Sequence, residues 1–451
     1  MSVSLPPTGR PVTARSATAG PATAGPATAV SPETVPAAAF RVDAGRWPDV
    51  ARLPKASAVR TAAARLIVRR ALAGLPLTVR FRDGTTLGRG GPVMRVYAPG
   101  ALYRRVGAGG LIGFGESYMA GEWVAEDLVG VLTVLADHAA ALVPRPLQRL
   151  RGVWALKQPA ARRNTPEGSR DNISHHYDLS NDLFALFLDE TLTYSSAVFP
   201  ALPATHELLP AAQRRKIDRL LDLADVGAGS EVLEIGTGWG ELAIRAARRG
   251  ARVTTVTLST EQRELAMRRI AEAGFEDRVT VLLRDYRRVS GSYDAVVSVE
   301  MIEAVGEEFW PEYFATLERL LAPGGKVALQ AITMPHDRLL ASRNTYTWIQ
   351  KYVFPGGLIP SVDAIEQITA ARTGLRVTRS DGFGAHYAET LRLWRERFEG
   401  RAGQVDALGF DLTFRRLWSF YLAYSEAGFR SGYLDVRQLL LTAGEGPRGT
   451  R

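Results

Sequence analysis

The second half of the chain alternates short apolar runs with amphipathic segments, and this pattern limits the folds that it can adopt. Five runs have the length and composition of buried strands: EVLEIG, RVTTVTL, RVTVLL, YDAVVSV and KVALQAI. Helical segments such as GELAIRAARRG and TEQRELAMRRIAEAG separate the first three runs. Strands that alternate with helices indicate a mostly parallel, doubly wound α/β sheet. A sheet of this kind binds its ligand at the carboxyl ends of its strands.

A glycine-rich turn, VLEIGTGWGELAI (232–244), follows the first of these strands. A dinucleotide fingerprint needs glycine or alanine where Glu241 stands, and an acidic residue after the next strand, where Thr257 stands. The spacing E-x-G-x-G-x-G is instead that of a Rossmann-like S-adenosylmethionine (SAM) methyltransferase. In that interpretation Glu234 orients the turn and the methionine end of the cofactor, and the glycines let the backbone approach it closely. The turn contributes Gly236, Thr237, Gly238 and Gly240 to the predicted cofactor site.

The ends of the next two strands face the same predicted ligand. In TLSTEQ, Ser259 and Gln262 fit a helix capping box, and the same segment can also face the cofactor ribose. The residues predicted to do so are Thr257, Leu258 and Gln262. In LLRDYR, Asp285 and Tyr286 could bracket an adenine, with an ordinary surface loop as the alternative.

The chain of 451 residues has room for two or three domains. Residues 1–40 repeat Ala, Thr, Pro and Gly and are expected to be a disordered extension. Residues 41–142 combine helical segments with strand-like alternation, which predicts a smaller α+β N-terminal domain. A basic linker (143–170) leads to the catalytic domain (171–445), and its Trp and Leu residues suit either a solvated linker or an anionic membrane surface.

Composition excludes several classes of protein. The chain has no cysteine, which rules out disulfides, thiolate metal ligands and a cysteine nucleophile. The net charge of +9 favours a polyanionic partner, either nucleic acid or an anionic membrane. No groove-reading motif supports nucleic acid, and no histidine spacing supports a metal. Without a secretory signal or an uncharged apolar run of roughly 18 to 20 residues, we expect a cytoplasmic protein associated peripherally with the inner face of the membrane.

Several stretches in the order HHYDLSNDLFALFLDETLTYSSAVF, SVEMIEAVG, YTWIQKYVFPGGLIPS, FGAHYAETLRLWRERF and FYLAYSEAGFR resemble the cyclopropane-fatty-acyl-phospholipid synthase family. The resemblance extends over about residues 113–441 and includes the mycolic-acid-modifying relatives. GFGESYMAGEW resembles the N-terminal domain of the phospholipid-acting members, which implies that the domain at 41–142 is of a lipid-binding type. It implies transfer of a methyl group from SAM to the double bond of an unsaturated acyl chain, usually within a phospholipid. It also implies cofactor contacts at Tyr194, Ser195, Gly236, Gly238, Thr257, Gln262 and Tyr286.

The resemblance further implies a catalytic site. Glu303 matches the family glutamate that helps to hold a bicarbonate ion near the reacting methyl group. Tyr387 and the backbone of Ile332 match other parts of that site. A carboxylate there would stabilise the carbocation that alkene methylation leaves, in a dry pocket that aligns the weak nucleophile. The alternative is a glutamate favoured by the helix dipole. Glu300 has no functional match and is expected to be structural.

This chain departs from the family pattern at three positions of that site. The family cysteine is Ser196, the bicarbonate-holding histidine is Gln330, and a second histidine is Ala304. The loss of two contacts leaves bicarbonate in doubt and weakens ring closure. A cation that is not deprotonated there can shift a hydride and give a methylene branch. MIEAVGEEFW and QAITMPHDR resemble actinobacterial relatives that make 10-methyl fatty acids, in which a separate reductase saturates the methylene.

Three other functions stay open at this stage. Cyclopropane formation is the alternative product, and a small-molecule methyltransferase is the alternative enzyme. A catalytically silent lipid-binding or nucleic-acid-binding protein is the alternative outside the enzymes. The aromatic segment YTWIQKYVFPGGLIPS is interpreted as part of an acyl-chain channel, with plain core packing as the other reading. A homodimer is also compatible with the sequence.

Overall fold

In the computed structural model of the chain, the described residues are 41–139 and 180–444. The predicted extension (1–40) and basic linker (143–170) therefore lie outside the described residues. Contacts divide the chain into two units, Met1–Asp127 and Leu128–Arg451. The first unit thus ends before the predicted boundary at residue 142, because helix Leu128–Asp137 packs against helix Leu412–Arg430 of the second unit.

The first unit is a small α+β domain. Its sheet has the order β2-β1-β3-β4, in which β1 and β3 are parallel and the other pairs are antiparallel. The strands are β1 Thr78–Phe81, β2 Thr86–Leu87, β3 Val93–Val96 and β4 Trp123–Ala125. The helices are α1 Pro48–Ala51, α2 Ala58–Ala73, α3 Pro99–Gly109 and α4 Leu111–Met119. Buried Arg105 ties this unit together through Glu122, at 2.8 Å, and the Val50 carbonyl, at 2.5 Å.

The second unit is built on a seven-stranded sheet with the order β10-β11-β9-β8-β5-β6-β7. All neighbouring pairs from β9 to β7 are parallel, whereas β11 runs antiparallel to both of its neighbours. The strands are β5 Glu231–Ile235, β6 Arg252–Thr257, β7 Val279–Leu283, β8 Tyr293–Val299, β9 Leu321–Thr333, β10 Leu375–Gly382 and β11 Asp435–Ala443. This arrangement confirms the predicted mostly parallel α/β sheet.

Helices cover both faces of this sheet. Those before β9 are α5 Leu128–Asp137, α6 Asn181–Phe187, α7 Leu209–Leu223, α8 Glu241–Arg248, α9 Thr260–Glu272, α10 Ile302–Val305 and α11 Trp310–Arg319. Those after it are α12 His336–Ser342, α13 Trp348–Tyr352, α14 Val362–Arg372, α15 Gly384–Gly400, α16 Ala402–Ala407 and α17 Leu412–Arg430. No described helix is both long enough and apolar enough to cross a bilayer.

The position of β8 between two layers of helices explains why successive residues of this strand are apolar. Val296 belongs to the core layer that contains Trp310 and Phe314 of α11. Its neighbour Val297 belongs to the opposite layer, which contains Leu242 of α8. A parallel strand covered on both faces needs apolar residues in both directions. The chain order reverses between β5 and β8, so their carboxyl ends form the crevice where a ligand is expected.

Candidate active site

The glycine turn after β5 has the backbone shape that a close-fitting ligand requires. Gly236 has a φ of +98°, and a Cβ there would lie 2.7 Å from Met301 Sδ. Gly238 also has a positive φ, but no atom lies within 4 Å of the position of its missing Cβ. Open space beside one glycine and close packing at the other leave room for a cofactor on one side of the turn. These residues therefore fit SAM.

Glu234 lies on β5 with its side chain buried beneath this turn. The Thr255 hydroxyl is 2.6 Å from Glu234 Oε2 and 2.7 Å from Thr237 Oγ1. These contacts link β5, the neighbouring strand β6 and the glycine turn. Burial raises the pKa of Glu234 to about 8, although the Thr255 hydrogen bond opposes the change. A cation that arrives beside this carboxyl, such as the amino group of SAM, would favour its ionised form.

The end of β6 forms a hydrogen-bonded loop at the position predicted for the ribose. The Thr257 hydroxyl donates to Gln262 Oε1 at 2.9 Å and accepts from the Ser259 backbone at 3.1 Å. Ser259 caps α9 by accepting from the Gln262 backbone. Only this half of the predicted capping box forms, because the Gln262 side chain turns toward Thr257 instead. Leu258 is partly exposed beside them.

The end of β7 differs from the simplest form of the adenine prediction. Arg287 donates to both oxygens of the Asp285 carboxylate, at 2.9 and 2.6 Å, so this acid is already paired within the chain. Tyr286 packs edge-on against Tyr313 at 5.5 Å. Its hydroxyl is buried and makes no hydrogen bond with the described residues. Tyr286 thus offers a polar atom to a ligand, whereas Asp285 acts through Arg287.

Segment 194–196 enters the site with each residue in a different role. Tyr194 packs 5.3 Å from Trp394 and its hydroxyl lies 2.7 Å from that of Tyr421. The Ser195 hydroxyl accepts from Lys216 Nζ at 2.5 Å. Lys216 is fully buried, and burial lowers its pKa to about 8. Ser196 contributes its backbone N–H to the site.

Glu300 stands where three donors converge. Its carboxylate accepts from the Ser196 backbone N–H at 3.0 Å, from Gln330 Nε2 at 2.9 Å and from the Tyr387 hydroxyl at 2.7 Å. The Ser196 hydroxyl instead donates to the Ala197 carbonyl. Burial raises the pKa of Glu300, while Lys216 and the three hydrogen bonds oppose the change. Glu300, which the sequence predicts to be structural, therefore lies among the predicted catalytic residues.

Glu303, at the start of α10, lies beside this cluster. Its Oε1 accepts a short hydrogen bond from the Ile332 backbone N–H. Its Oε2 is buried and makes no hydrogen bond with the described residues. Burial and the neighbouring Glu300 charge raise the pKa of Glu303 to about 8. The site therefore contains a well-paired carboxylate and a second carboxyl group with one open oxygen.

The orientation of the Gln330 amide is fixed by a partner on the neighbouring strand. Gln438 Nε2 donates to Gln330 Oε1 at 3.2 Å and to the Lys216 carbonyl at 2.9 Å. Since the Gln330 oxygen is engaged, its NH₂ group is turned toward Glu300. An amide at this position donates hydrogen bonds but cannot carry a proton as an imidazole does.

The aromatic segment 346–361 reaches the backbone of the site. The Leu358 N–H donates to the Glu303 carbonyl at 2.8 Å. Phe354 lies 5.9 Å from Tyr421, whose hydroxyl meets Tyr194. Aromatic side chains therefore continue from the cofactor side to this segment, and its assignment to an acyl-chain channel stays a prediction.

The predicted catalytic residues thus meet in one place, whereas sequence reasoning missed three participants, namely Glu300, Lys216 and Gln438. Glu300 directly follows the buried strand β8, and a carboxylate at such a position is the sequence signal that could have identified it. Lys216 and Gln213 lie on the buried stripe of α7 with Ile217 and Leu220, a polar pair at apolar spacing. Gln438 gave no signal, because its role depends on strand pairing.

The described residues contain no cluster of three or more side chains suited to a metal ion. His175 and His176 lie outside the described residues.

The strand order, the glycine turn and the buried acid before it define a class I SAM-dependent methyltransferase. The family model of mycolic acid cyclopropane synthetase matches residues 164–439, and the chain belongs to this family. It is 57% identical over 425 residues to the tuberculostearic acid methyltransferase UfaA1 of Mycobacterium tuberculosis, covering 92% of this chain and 99% of that protein. It is 32% identical to the cyclopropane-fatty-acyl-phospholipid synthase of Escherichia coli, covering 76% and 86%.

Solved structures give the same result. The cyclopropane synthase MmaA2 of Mycobacterium tuberculosis superimposes with a TM-score of 0.56 and 31% identity, covering 60% of this chain and 97% of that one. The mycolic acid cyclopropane synthase CmaA1, complexed with S-adenosylhomocysteine, has the same TM-score and identity over 63% and 98%. The predicted family, fold class, enzyme class and methyl donor are confirmed.

Proposed function

We propose that this enzyme transfers a one-carbon unit from SAM to the double bond of an unsaturated fatty acyl chain in a phospholipid, giving a methylene branch. The observation that carries the proposal is the carboxyl pair of Glu300 and Glu303 at the carboxyl end of β8, beside the glycine turn. The alkene of an acyl chain carries no acidic proton, so no base has to activate it before it attacks the methyl group. What it needs is stabilisation of a cation and removal of a proton.

The residues of the chain divide this work. SAM supplies an electrophilic methyl group when it is bound. The turn at Gly236 and the carboxyl of Glu234 hold its methionine end, and the aromatic rings around Tyr194 exclude water. The alkene electron pair forms the new C–C bond, which leaves a cation on the adjacent carbon. Glu303, with its open oxygen, supplies negative charge to that region when it is ionised.

The methylene product is favoured over a ring for a specific reason. Ring closure requires immediate loss of a proton from the new methyl group, and the family histidine is here the amide of Gln330. A slower deprotonation leaves time for a 1,2-hydride shift, after which proton loss gives an exocyclic double bond. The high identity to a tuberculostearic acid methyltransferase supports the same branch.

Expression in a bacterial host that makes oleoyl phospholipids and lacks its own cyclopropane synthase tests this function. The two products are isomers, so mass spectrometry measures one-carbon addition and proton NMR separates vinylidene from ring protons. We expect a vinylidene lipid. If the lipid profile is unaltered although the enzyme purified from the same cells binds SAM in calorimetry, lipid alkylation is contradicted.

A cyclopropane synthase is the second candidate, because the chain also matches that enzyme of Escherichia coli. Ring protons in the same NMR experiment would establish it and reject the branch.

The proposal includes three partners. An anionic membrane surface would supply the substrate, in keeping with the net charge of +9. A reductase would saturate the methylene to a 10-methyl branch, and co-expression with a candidate reductase would show loss of the vinylidene signal. A homodimer is tested by light scattering of the purified protein. The proposed location is the cytoplasm, at the inner face of the membrane.

A further inference from the structure

The resemblance to cyclopropane synthases places a bicarbonate ion among five positions of this chain: Ser196, Glu303, Gln330, Ile332 and Tyr387. Three of these positions direct a hydrogen at the Glu300 carboxylate, with donor-to-oxygen distances between 2.7 and 3.0 Å. The position that these donors surround is therefore already filled by a carboxyl group of the chain.

These donors have little capacity left for a separate ion. A backbone N–H and a phenol each carry one hydrogen. The Gln330 amide carries two, but it also reaches the Ser196 carbonyl at 3.4 Å. The Ile332 N–H donates to Glu303. A bicarbonate placed here would have to break these hydrogen bonds.

The local charges oppose a further anion as well. Glu300 and Glu303 lie close enough for the Glu300 charge to raise the pKa of Glu303. The cation that offsets Glu300 is Lys216, held by the Ser195 hydroxyl. A bicarbonate would add a negative charge beside two buried carboxyl groups, which costs free energy in a buried environment. The residues present do not fit the ion.

The backbone at Glu300 gives a second, independent observation. Its φ is +52°, a left-handed conformation that is strained for a non-glycine residue. Its N–H donates to the Gln330 carbonyl at 2.6 Å, which fixes the strained turn against β9. Strain of this kind is stored mainly at functional sites. A carboxylate is held here although glycine would adopt the same backbone without strain.

We propose that the Glu300 carboxylate takes the place of bicarbonate in this enzyme and accepts the proton that the alkylated acyl chain releases. The inference rests on the function proposed above. Of the two carboxyl groups, Glu300 is the one that three hydrogen-bond donors meet, which favours its ionised form, the form that can receive a proton.

Atoms and electrons balance in this step. After the alkene pair has formed the C–C bond to the methyl group, the C–S pair stays on sulfur. A hydride moves from the methyl-bearing carbon to its cationic neighbour, which transfers the cation. A C–H bond of the methyl group then breaks, its pair forms the exocyclic double bond, and the proton binds the Glu300 carboxylate. The neutral acid returns the proton to water after the product leaves.

The test compares the full-length enzyme with Glu300→Gln and Glu300→Gly in buffer freed of carbon dioxide, with and without added bicarbonate. We expect wild-type activity on oleoyl phospholipid to be independent of bicarbonate. Glu300→Gln should lose about 100-fold or more in kcat and stay low, because the amide fills the space. Glu300→Gly should lose as much but recover with bicarbonate, because glycine relaxes the backbone and opens the ion site.

A binding readout separates this role from a structural one. In ¹³C NMR with labelled bicarbonate, Glu300→Gly should bind the ion and the wild type should not. SAM calorimetry should give similar affinities for all three proteins, which shows that they are folded. Glu366→Gln, an exposed glutamate on α14, is the matched control for loss of one carboxylate and should keep wild-type kinetics.

A wild-type enzyme that binds bicarbonate or needs it for activity would overturn the inference, and so would full activity of Glu300→Gln without it. Either result would leave lipid alkylation by the wild type intact. A wild type that alkylates no lipid would instead refute the proposed function, so the two failures are distinguishable.

Discussion

At the scale of single residues, three buried carboxyl groups differ in what surrounds them. Glu234 has one hydroxyl, Glu303 has one backbone N–H, and Glu300 has three donors and Lys216. Burial raises the pKa of all three, to about 8 for Glu234 and Glu303, and the opposing interactions are most numerous at Glu300. These environments are the basis of the three proposed roles. Glu234 would bind the methyl donor, Glu303 would stabilise the cation and Glu300 would remove the proton.

Glu234→Gln should weaken SAM binding and remove its pH dependence. With a pKa of about 8, the Glu234 carboxyl is mostly protonated at neutral pH. Binding of a cationic amino group requires its ionised form, so affinity in the wild type should rise as pH increases toward 8. Calorimetry in buffers of different ionisation enthalpy should also detect a proton released near pH 7. A pH-independent wild-type affinity would contradict this role of Glu234.

Glu303→Gln should lower alkylation and flatten its pH profile. The neutral acid cannot stabilise a carbocation, and its pKa of about 8 means that the ionised fraction grows as pH rises through that value. Wild-type kcat should therefore increase from neutral to mildly alkaline pH. The variant should be about 100-fold slower above the pKa, the size of a lost electrostatic contact in other enzymes. Alkylation at full speed by Glu303→Gln would reject the electrostatic role.

Tyr387→Phe removes one of the three donors to Glu300. Loss of a hydrogen bond to the charged form raises the pKa of a carboxylate, so the acidic limb of the kcat profile should move to higher pH. We expect about a tenfold lower rate near neutral pH, in line with one lost charge-assisted bond. A uniform decrease without movement of the limb would indicate only a packing defect beside Phe429, which lies 4.5 Å from the Tyr387 ring.

At the scale of elements, the glycine turn and α10 are coupled through the packing of Met301 against Gly236. Gly236→Ala should destabilise the protein and disturb SAM binding, because its φ is +98° and the added methyl would meet Met301 Sδ at 2.7 Å. Met301 directly precedes α10, which carries Glu303, so the displacement reaches the catalytic carboxyl. Thermal unfolding should show a loss of at least about 1–2 kcal/mol.

Gly400→Ala is the matched control for that substitution. Gly400 ends α15, and no atom lies within 4 Å of the position of its missing Cβ. The control should be neutral or slightly stabilising in the same measurements. Equal effects of the two substitutions would remove the special role of the turn.

The elements also explain what the sequence could predict. The strands and the turn were recognisable because their apolar runs and glycine spacing are local. Glu300 follows β8, Lys216 lies on α7 and Gln438 lies on β11, and only the tertiary fold brings them together. The sequence predicts that Asp285 could face an adenine, but its pairing with Arg287, two residues away, depends on side-chain geometry that periodicity does not report. Periodicity reports the face of an element, but it does not report the partner.

At the scale of the whole molecule, the division at Asp127 predicts which truncation folds. A protein of residues 128–451 keeps α5, which packs on α17. A protein of residues 143–451 loses that helix and uncovers the buried face of α17. Since MmaA2 matches 97% of its own length over 60% of this chain, the catalytic unit resembles a protein that exists alone. The 128–451 protein should bind SAM with nearly full affinity, and the 143–451 protein should unfold at lower temperature.

The full-length enzyme and the 128–451 protein should differ in how they use a membrane. The proposed lipid-binding role of the N-terminal unit and the net charge of +9 predict that full-length activity on anionic vesicles falls as salt increases. Activity on the same lipid dispersed in neutral detergent should change little, because burial of an acyl chain does not depend on screened charges. The truncated protein should retain the detergent activity and lose most of the vesicle activity. If both proteins worked equally on vesicles at every salt concentration, the first unit would have no part in substrate access, and the charge of the catalytic unit alone would have to explain binding.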